Sequence, residues 1–378
     1  MNTHNTFAFE LFNEISKIQS DNIILTPYST SSALAMAYIG SRGKTRKQIS
    51  QVFGWLLDPK SASQGMLDLR KNLRTLNTIE GIELNIASGI WVDDSLRLLE
   101  DFIEQSKKYY ATSLNSVDFQ KSTDTARRTI NQWVEQETNG TIPALIPPGS
   151  LNALTRVLLV TATHYQGLWA SPFQKSKTQQ SQFWLYSTQS TSVSFMTQQH
   201  QFPYADTHTM QVLELPYVGN RLSMIFFLPK QGEGLSRQEN PFTNSKFEQL
   251  IASLKPQNVK ASIPRLHLSV GVDLRQTLSL LGMPLAFDQQ ADFSGLSDSE
   301  DVHLAAVFHQ SFLEVNEEGT EAAGSTGVVM EGRSLQAPQP VVFRADHPFF
   351  FVIRENQTGI ILFLGKVSDP TASSSSLE

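Results

Sequence analysis

The chain has 378 residues, 40% of them hydrophobic and 17% charged, which supplies ample core material and excludes bulk disorder. Thirty basic side chains against 36 acidic ones give a net charge of −6, which argues against a main role in gripping nucleic acid or an anionic membrane surface. Cysteine is absent, so disulfides, a thiol nucleophile and zinc-finger sites are excluded.

The opening MNTHNTFAFELFNEI places Phe7, Phe9, Leu11, Phe12 and Ile15 at mixed helical spacing and predicts an amphipathic helix. It lacks a basic region followed by a long apolar run, so no leader is expected here, and the compartment stays undetermined between cytoplasm and exterior. Thr26-Pro27 followed by Ser29 to Ser32 predicts a second helix, with the proline in its first turn and the hydroxyls as caps. Helical signals dominate the first 150 residues, broken by the strand-like GIELNIASGIWVDD before LEDFIEQSKKYY.

From about residue 155 the texture changes. TRVLLVTATHYQGLW, TMQVLELPYV and RLSMIFFLPK are apolar and β-branched or aromatic runs, read as buried strands. Phe349 to Arg354 and Ile360 to Val367 flank a short polar stretch and predict a hairpin. Early helices followed by long strands indicate α+β, with no dividing linker and therefore one domain over 1–370. The closing residues 371–378 read as a flexible tail left by cloning. No stretch approaches the roughly eighteen apolar residues that span a membrane, and none is expected to.

Catalytic and ligand motifs are few. The eight histidines show no metal-binding spacing, so no metal site is expected, and no cofactor either. Arg42-Gly43-Lys44-Thr45 ends like a phosphate loop, but Tyr38 occupies the required glycine position. Two basic clusters, one at Arg42, Lys44, Arg46 and Lys47 and one at Arg70, Lys71 and Arg74, read first as solvated surface, with a sulfated polyanion as the functional alternative. Asn139-Gly-Thr and Asn356-Gln-Thr are glycosylation acceptors only in a eukaryotic secretory pathway.

EEGTEAAGSTGVVMEGRSL, Glu317 to Leu335, has a linker's composition but a strand's alternation. Thr320, Ala322, Gly324, Thr326, Val328 and Met330 form a small-then-apolar face, while Glu321 and Glu331 fall on the opposite one. Its glycines weaken it as an independent strand, so it is expected to be extended until a sheet offers a slot. From Gly319 to Arg333 such a strand would reach roughly 50 Å.

These stretches together resemble the serpins over about residues 6 to 370. The resemblance rests on NIILTPYSTSSALAMAYIGSRGKT, INQWVEQETNGTI, THYQGLW, VSFMTQQHQFPYADTHTMQVLELPY, LSMIFFLP, LGMPLAFDQQADFSGLS, FHQSFLEVNEEGTEAAGST and ADHPFFFVIRENQTGIILFLGKVSDP, in order. It implies three β-sheets with about nine helices and an exposed reactive-centre loop, about 317–338. It also implies no enzyme but a monomeric suicide substrate that ends in a covalent complex with a serine protease.

By the same resemblance the hinge is Glu317, Glu318, Gly319, Thr320, Glu321, Ala322, Ala323, Gly324, Ser325 and Thr326, and the scissile bond is Arg333–Ser334. GRSL is similar to the bait of antithrombin, and an arginine there suits a trypsin-like specificity pocket. A bond after Met330 or Leu335 would point instead to chymotrypsin-like enzymes, and cysteine proteases are a further alternative target. Trp169 matches the tryptophan where insertion begins. His309, Thr161 and Ser29 match the region where the sheet opens, although Thr161 stands where the family usually has an asparagine bonded to the histidine. Core packing is the alternative for Trp169 and His309. Carrier or chaperone serpins are the alternative for the whole chain, disfavoured by the small residues of the hinge.

Overall fold

The computed structural model describes residues 2–54, 59–110, 113–185, 189–230, 242–299, 302–320, 339–372 and 374–375. The chain begins with α1 (Asn2–Ile18), β1 (Ile23–Leu25), α2 (Pro27–Gly40), α3 (Gly43–Phe53) and α4 (Pro59–Arg74). β2 (Ile82–Asp93), α5 (Glu100–Tyr110), β3 (Ser113–Val117) and α6 (Thr123–Glu137) follow. A strand-rich region then runs through β4 (Val157–Leu168), β5 (Gln179–Trp184), β6 (Ser190–Asp206), β7 (Met210–Pro216) and β8 (Leu222–Pro229). After α7 (Asn244–Ala252) come β9 (Lys255–Pro264), β10 (Leu266–Asp273), α8 (Arg275–Leu281) and β11 (Leu304–Val315). The last elements are β12 (Gly319–Thr320), β13 (Val341–Arg344), β14 (Phe349–Glu355), β15 (Ile361–Val367) and β16 (Ser374–Ser375).

The strands form two hydrogen-bonded networks. One has seven strands in the order β16-β10-β11-β4-β2-β3, with β12 added beside β4. The other has nine, β1-β15-β14-β8-β7-β6-β9-β13, with β5 beside β6. The nine-stranded network divides within β6, whose early part pairs with β5 and β9, while Tyr204–Asp206 pair with β7. Three sheets are therefore present, two of them joined by the end of one long strand. Among the described residues there are eight α-helices, against about nine expected.

The apolar runs behave as their composition demands. Every residue of β8 is buried, and β14 and β15 are buried at all but one position each, so runs without alternation are covered on both faces. β14 and β15 form the expected antiparallel hairpin. All fourteen residues of α2 are buried, which places this helix at the centre of the molecule, against β2, β4 and β15. A second apolar cluster lies between α6 and the sheet, where Ile130 and Val134 meet Leu158 and Val160 of β4 and Phe308 and Phe312 of β11.

Two expectations are corrected here. Pro27 does open α2, but the neighbouring hydroxyls do not cap it: Thr26 makes no side-chain cap bond, and Ser29 Oγ donates to the Thr26 carbonyl at 2.9 Å. Those hydroxyls are drawn into a buried polar cluster described below. The end of the chain is not wholly a free tail, because Ser374 and Ser375 pair in parallel with Val270 and Gly271 of β10. The buried Asn22 directs this segment: its amide donates to the carbonyls of Asp369 and Ala372 at 2.7 and 2.6 Å and accepts from the Ser368 and Asp369 amides.

Candidate hinge and sheet-opening site

β4 and β11 are parallel neighbours at the centre of the seven-stranded sheet, and their ladder runs from Val157 to Thr163 on β4. It ends at Ser311↔Thr163. The next ladder on β4 is antiparallel, with Gly319 of β12 opposite Leu168 and Thr320 opposite Gly167. The chain leaves β11, turns at Asn316, and returns as β12 beside the top of β4. Asn316 makes the turn by accepting the Glu318 and Gly319 amides on its side-chain oxygen at 3.0 and 3.2 Å.

Close backbone approach explains the residue types at this point. A Cβ on Gly319 would stand 1.9 Å from the Gly167 carbonyl oxygen, so only glycine fits there. Thr320 is fully buried, and its hydroxyl lies 2.7 Å from the Tyr217 hydroxyl. Tyr217 stacks on Trp169 with ring centroids 4.5 Å apart. Trp169 in turn donates its indole N–H to the Asn316 carbonyl and its backbone N–H to the Glu318 carbonyl, at 3.0 and 2.9 Å. The tryptophan therefore holds the turn between β11 and β12 as well as packing in the core.

Charge fixes the same turn. Glu317 is 1% exposed and receives a forked contact from Arg265, with the shortest N–O distance 2.6 Å, and a further bond from the Thr178 hydroxyl. Burial alone would raise its carboxyl pKa, but the bonds from Arg265 and Thr178 outweigh burial and hold it below the usual range. Glu318 pairs with Lys175 at 2.8 Å. Arg265→Met is expected to destabilise the protein by about 2 kcal/mol, less than the roughly 3–5 kcal/mol of a fully buried pair because Arg265 keeps about half its surface in water. Denaturant midpoints of both proteins at pH 7 check this, and because the folded-state pKa is depressed, the difference should shrink as pH falls through the Glu317 pKa.

Lower in the same seam lies a cluster of buried hydroxyls around His309. His309 and Ser311 on β11 face Thr161 and Thr163 on β4 in register, and Thr26, Ser29 and Thr30 come from the start of α2. The Thr26 N–H donates to His309 Nε2 at 3.2 Å, so that nitrogen is an acceptor and the ring proton sits on Nδ1. Nδ1 then donates to Thr161 Oγ1 at 2.8 Å. Thr161 thus bonds the histidine across the two strands. Ser29 joins through Thr26, at 2.7 Å between hydroxyls, and Thr163 donates to Thr26 Oγ1 at 3.0 Å. Burial pushes the His309 imidazole down to about 3, so the ring is neutral at physiological pH.

A profile of the serpin family, described as serine protease inhibitor, matches residues 2–370. The chain belongs to the serpin family. This serpin is 36% identical over 378 residues to human leukocyte elastase inhibitor, covering 96% of this chain and 97% of that protein. It is 35% identical over 374 residues to a serpin-like protein of Thermococcus kodakarensis, covering 98% of this chain and 85% of the relative. Serpin48 of the insect Tenebrio molitor superposes with a TM-score of 0.87 at 30% identity, over 97% of both chains. Human thyroxine-binding globulin, solved in complex with thyroxine, gives 0.88 at 29% identity over 98% of both. Relatives and similar folds thus carry the names of an elastase inhibitor and of a thyroxine-binding globulin.

The structure brings together Glu317, Glu318, Gly319, Thr320 and Trp169 at the top of the seam, and Ser29, Thr161 and His309 lower down. Glu321, Ala322, Ala323, Gly324, Ser325, Thr326, Met330, Arg333, Ser334 and Leu335 lie outside the described residues. Arg265, Thr178, Tyr217 and Asn316 were not singled out from sequence, and Thr26 was read only as part of a helix start. For the buried cluster a signal did exist: Thr161-x-Thr163 and His309-x-Ser311 each put two polar groups on one face of an otherwise apolar strand. Of the basic clusters, Arg42 is committed inward, donating to the Ile39 and Ser41 carbonyls at 2.9 and 2.8 Å. Arg70 donates to the Tyr109 carbonyl at 3.3 Å. No helix among the described residues is long and apolar enough to cross a membrane.

Proposed function

We propose that this serpin is a suicide-substrate inhibitor of trypsin-like serine proteases, acting as one unit over residues 2–370 and as a monomer. The observation that carries the reading is the seated start of the hinge. Gly319 and Thr320 already occupy the top of the seam between β11 and β4, and the residues that follow are small enough to continue downward. In this reading the protease serine Oγ attacks the Arg333 carbonyl carbon and the bond to the Ser334 nitrogen breaks. The Ser334 amine leaves with a proton from the protease histidine, and an acyl-enzyme ester forms at Arg333. Insertion of 321 onward then lengthens the β12–β4 ladder, separates Thr161 from His309, and carries the protease away before water can deacylate it. A sulfated polyanion remains a weaker proposal, resting on Lys44, Lys47, Lys71 and Arg74.

The test is incubation with trypsin followed by a denaturing gel. The expected result is a covalent complex that resists denaturation, lost in Arg333→Ala. Clean cleavage after Arg333 with no complex would leave a substrate-like serpin, the state expected of a carrier. A complex retained in Arg333→Ala would move the scissile bond elsewhere in the loop.

A further inference from the structure

β13 is the first strand after the loop, and it is slight. Among the described residues it pairs on one side only, in parallel with four residues of β9, and Val342 at its middle is 56% exposed. What holds its end is a set of polar contacts at the passage into β14. Arg344 crosses the sheet over the Phe195 ring, 4.6 Å from its centroid, to the Ser181 hydroxyl on β5. Its Nε also donates to the Asp346 carboxylate at 3.2 Å. The Trp184 amide of β5 donates to the Asp346 carbonyl at 2.8 Å.

His347 stands at the centre of this passage, its ring between two acceptors. Nδ1 is 2.9 Å from Asp346 Oδ1, and Nε2 is 2.7 Å from the Pro229 carbonyl oxygen at the end of β8. A carbonyl oxygen and an ionised carboxylate can only accept, so both contacts are bonds only when both ring nitrogens carry protons. Either neutral tautomer sets a lone pair against one of the oxygens. Side chains of His347 and Asp346 are about one-fifth exposed, so water replaces a lost bond poorly.

We infer that His347 is a proton-dependent clasp on the strand that anchors the C-terminal end of the loop, closed as imidazolium and loosened as the imidazole becomes neutral. The other charges facing it are few. Arg344 shares Asp346, and the nearby Lys230 is paired with Asp206 at 2.8 Å. Burial alone would lower the His347 pKa, but the bonds to Asp346 and Pro229 and the Asp346 charge outweigh it and raise the value. The sign follows: a raised folded-state pKa gives an anchor fully present below about pH 6.5 and lost as pH rises through the raised value. The clasp does not depend on protease inhibition, so it stands or falls separately from the proposed function.

The test is hydrogen exchange of the Val341–Arg344 amides between pH 6 and 9, corrected for intrinsic rates and referred to β14. Release of β13 should increase with pH by about tenfold for each pH unit that the clasp adds to the histidine's affinity for its proton. His347→Lys keeps a permanent cation and should hold β13 at every pH, whereas His347→Gln should leave it loose at every pH. NMR titration of the wild-type ring, assigned through the sole His–Pro peptide of the sequence, needs no variant to fold. A ring that titrates at or below about 6.5, or β13 protection independent of pH in the wild type, would overturn the clasp.

Discussion

Under the proposed function, Thr320→Arg is expected to turn this serpin from an inhibitor of trypsin into a substrate. Thr320 is fully buried, its hydroxyl meets Tyr217, and its backbone lies opposite Gly167 with no room to withdraw. A guanidinium there would be stripped of water beside a tyrosine and an indole, with no carboxylate among the described contacts of Thr320 to receive it. The cost is about 3 kcal/mol or more, enough to slow insertion on the order of a hundredfold. Deacylation then wins the race, so the gel should show cleaved serpin and free protease in place of the complex. Thr320→Val keeps the volume and the burial and loses only the bond to Tyr217, so it should retain the complex and serves as the control for folding. An undiminished complex in Thr320→Arg would refute the seated hinge as the route of insertion.

Acid is expected to loosen the sheet at His309. Its imidazole binds a proton with a pKa of about 3 while the seam is closed, against an ordinary value near 6.5 once the strands part. The folded-state pKa is depressed for a base buried neutral, so the opened or unfolded state takes up more protons, and stability falls as pH drops below about 6.5. At pH 5 the loss from this one group is about 2 kcal/mol. His4, half-buried and pushed down to about 4 by desolvation, acts with the same sign, while His347 acts against it. The measurement is therefore a difference: melting of wild type and His309→Gln at pH 7 and pH 5. The variant should be less stable at pH 7, because it breaks the bonds to Thr161 and Thr26, yet lose less on acidification. Equal acid sensitivity in the two proteins would remove His309 as the group responsible.

The hinge and the hydroxyl cluster differ in how far they could be read in advance. Alternation from Thr320 onward marked a latent strand because a strand places every second residue on one face, while the close approach that requires glycine at 319 came only from the structure. What the alternation did not contain was the other wall of the slot. Tyr217 lies more than a hundred residues before Thr320, and Arg265 more than fifty before Glu317; neither has a local pattern that points to the hinge. Likewise, the family resemblance matched Thr161 to a position usually held by asparagine and left its bond to His309 open. Only the register of β4 against β11 brings the two side chains to 2.8 Å.

By itself the sequence determined the α+β class, the buried strands, the final hairpin and the family, because apolar periodicity and turn chemistry are local properties repeated along the chain. Tertiary structure decided which polar groups meet inside the core. It drew the hydroxyls of Thr26 and Ser29 away from helix capping and toward His309, and it paired Glu317 with Arg265. It also set the His347 ring between Asp346 and Pro229. The physical reason is that a buried polar group must find its partner wherever the fold has placed one, and sheet register rather than sequence distance sets that place.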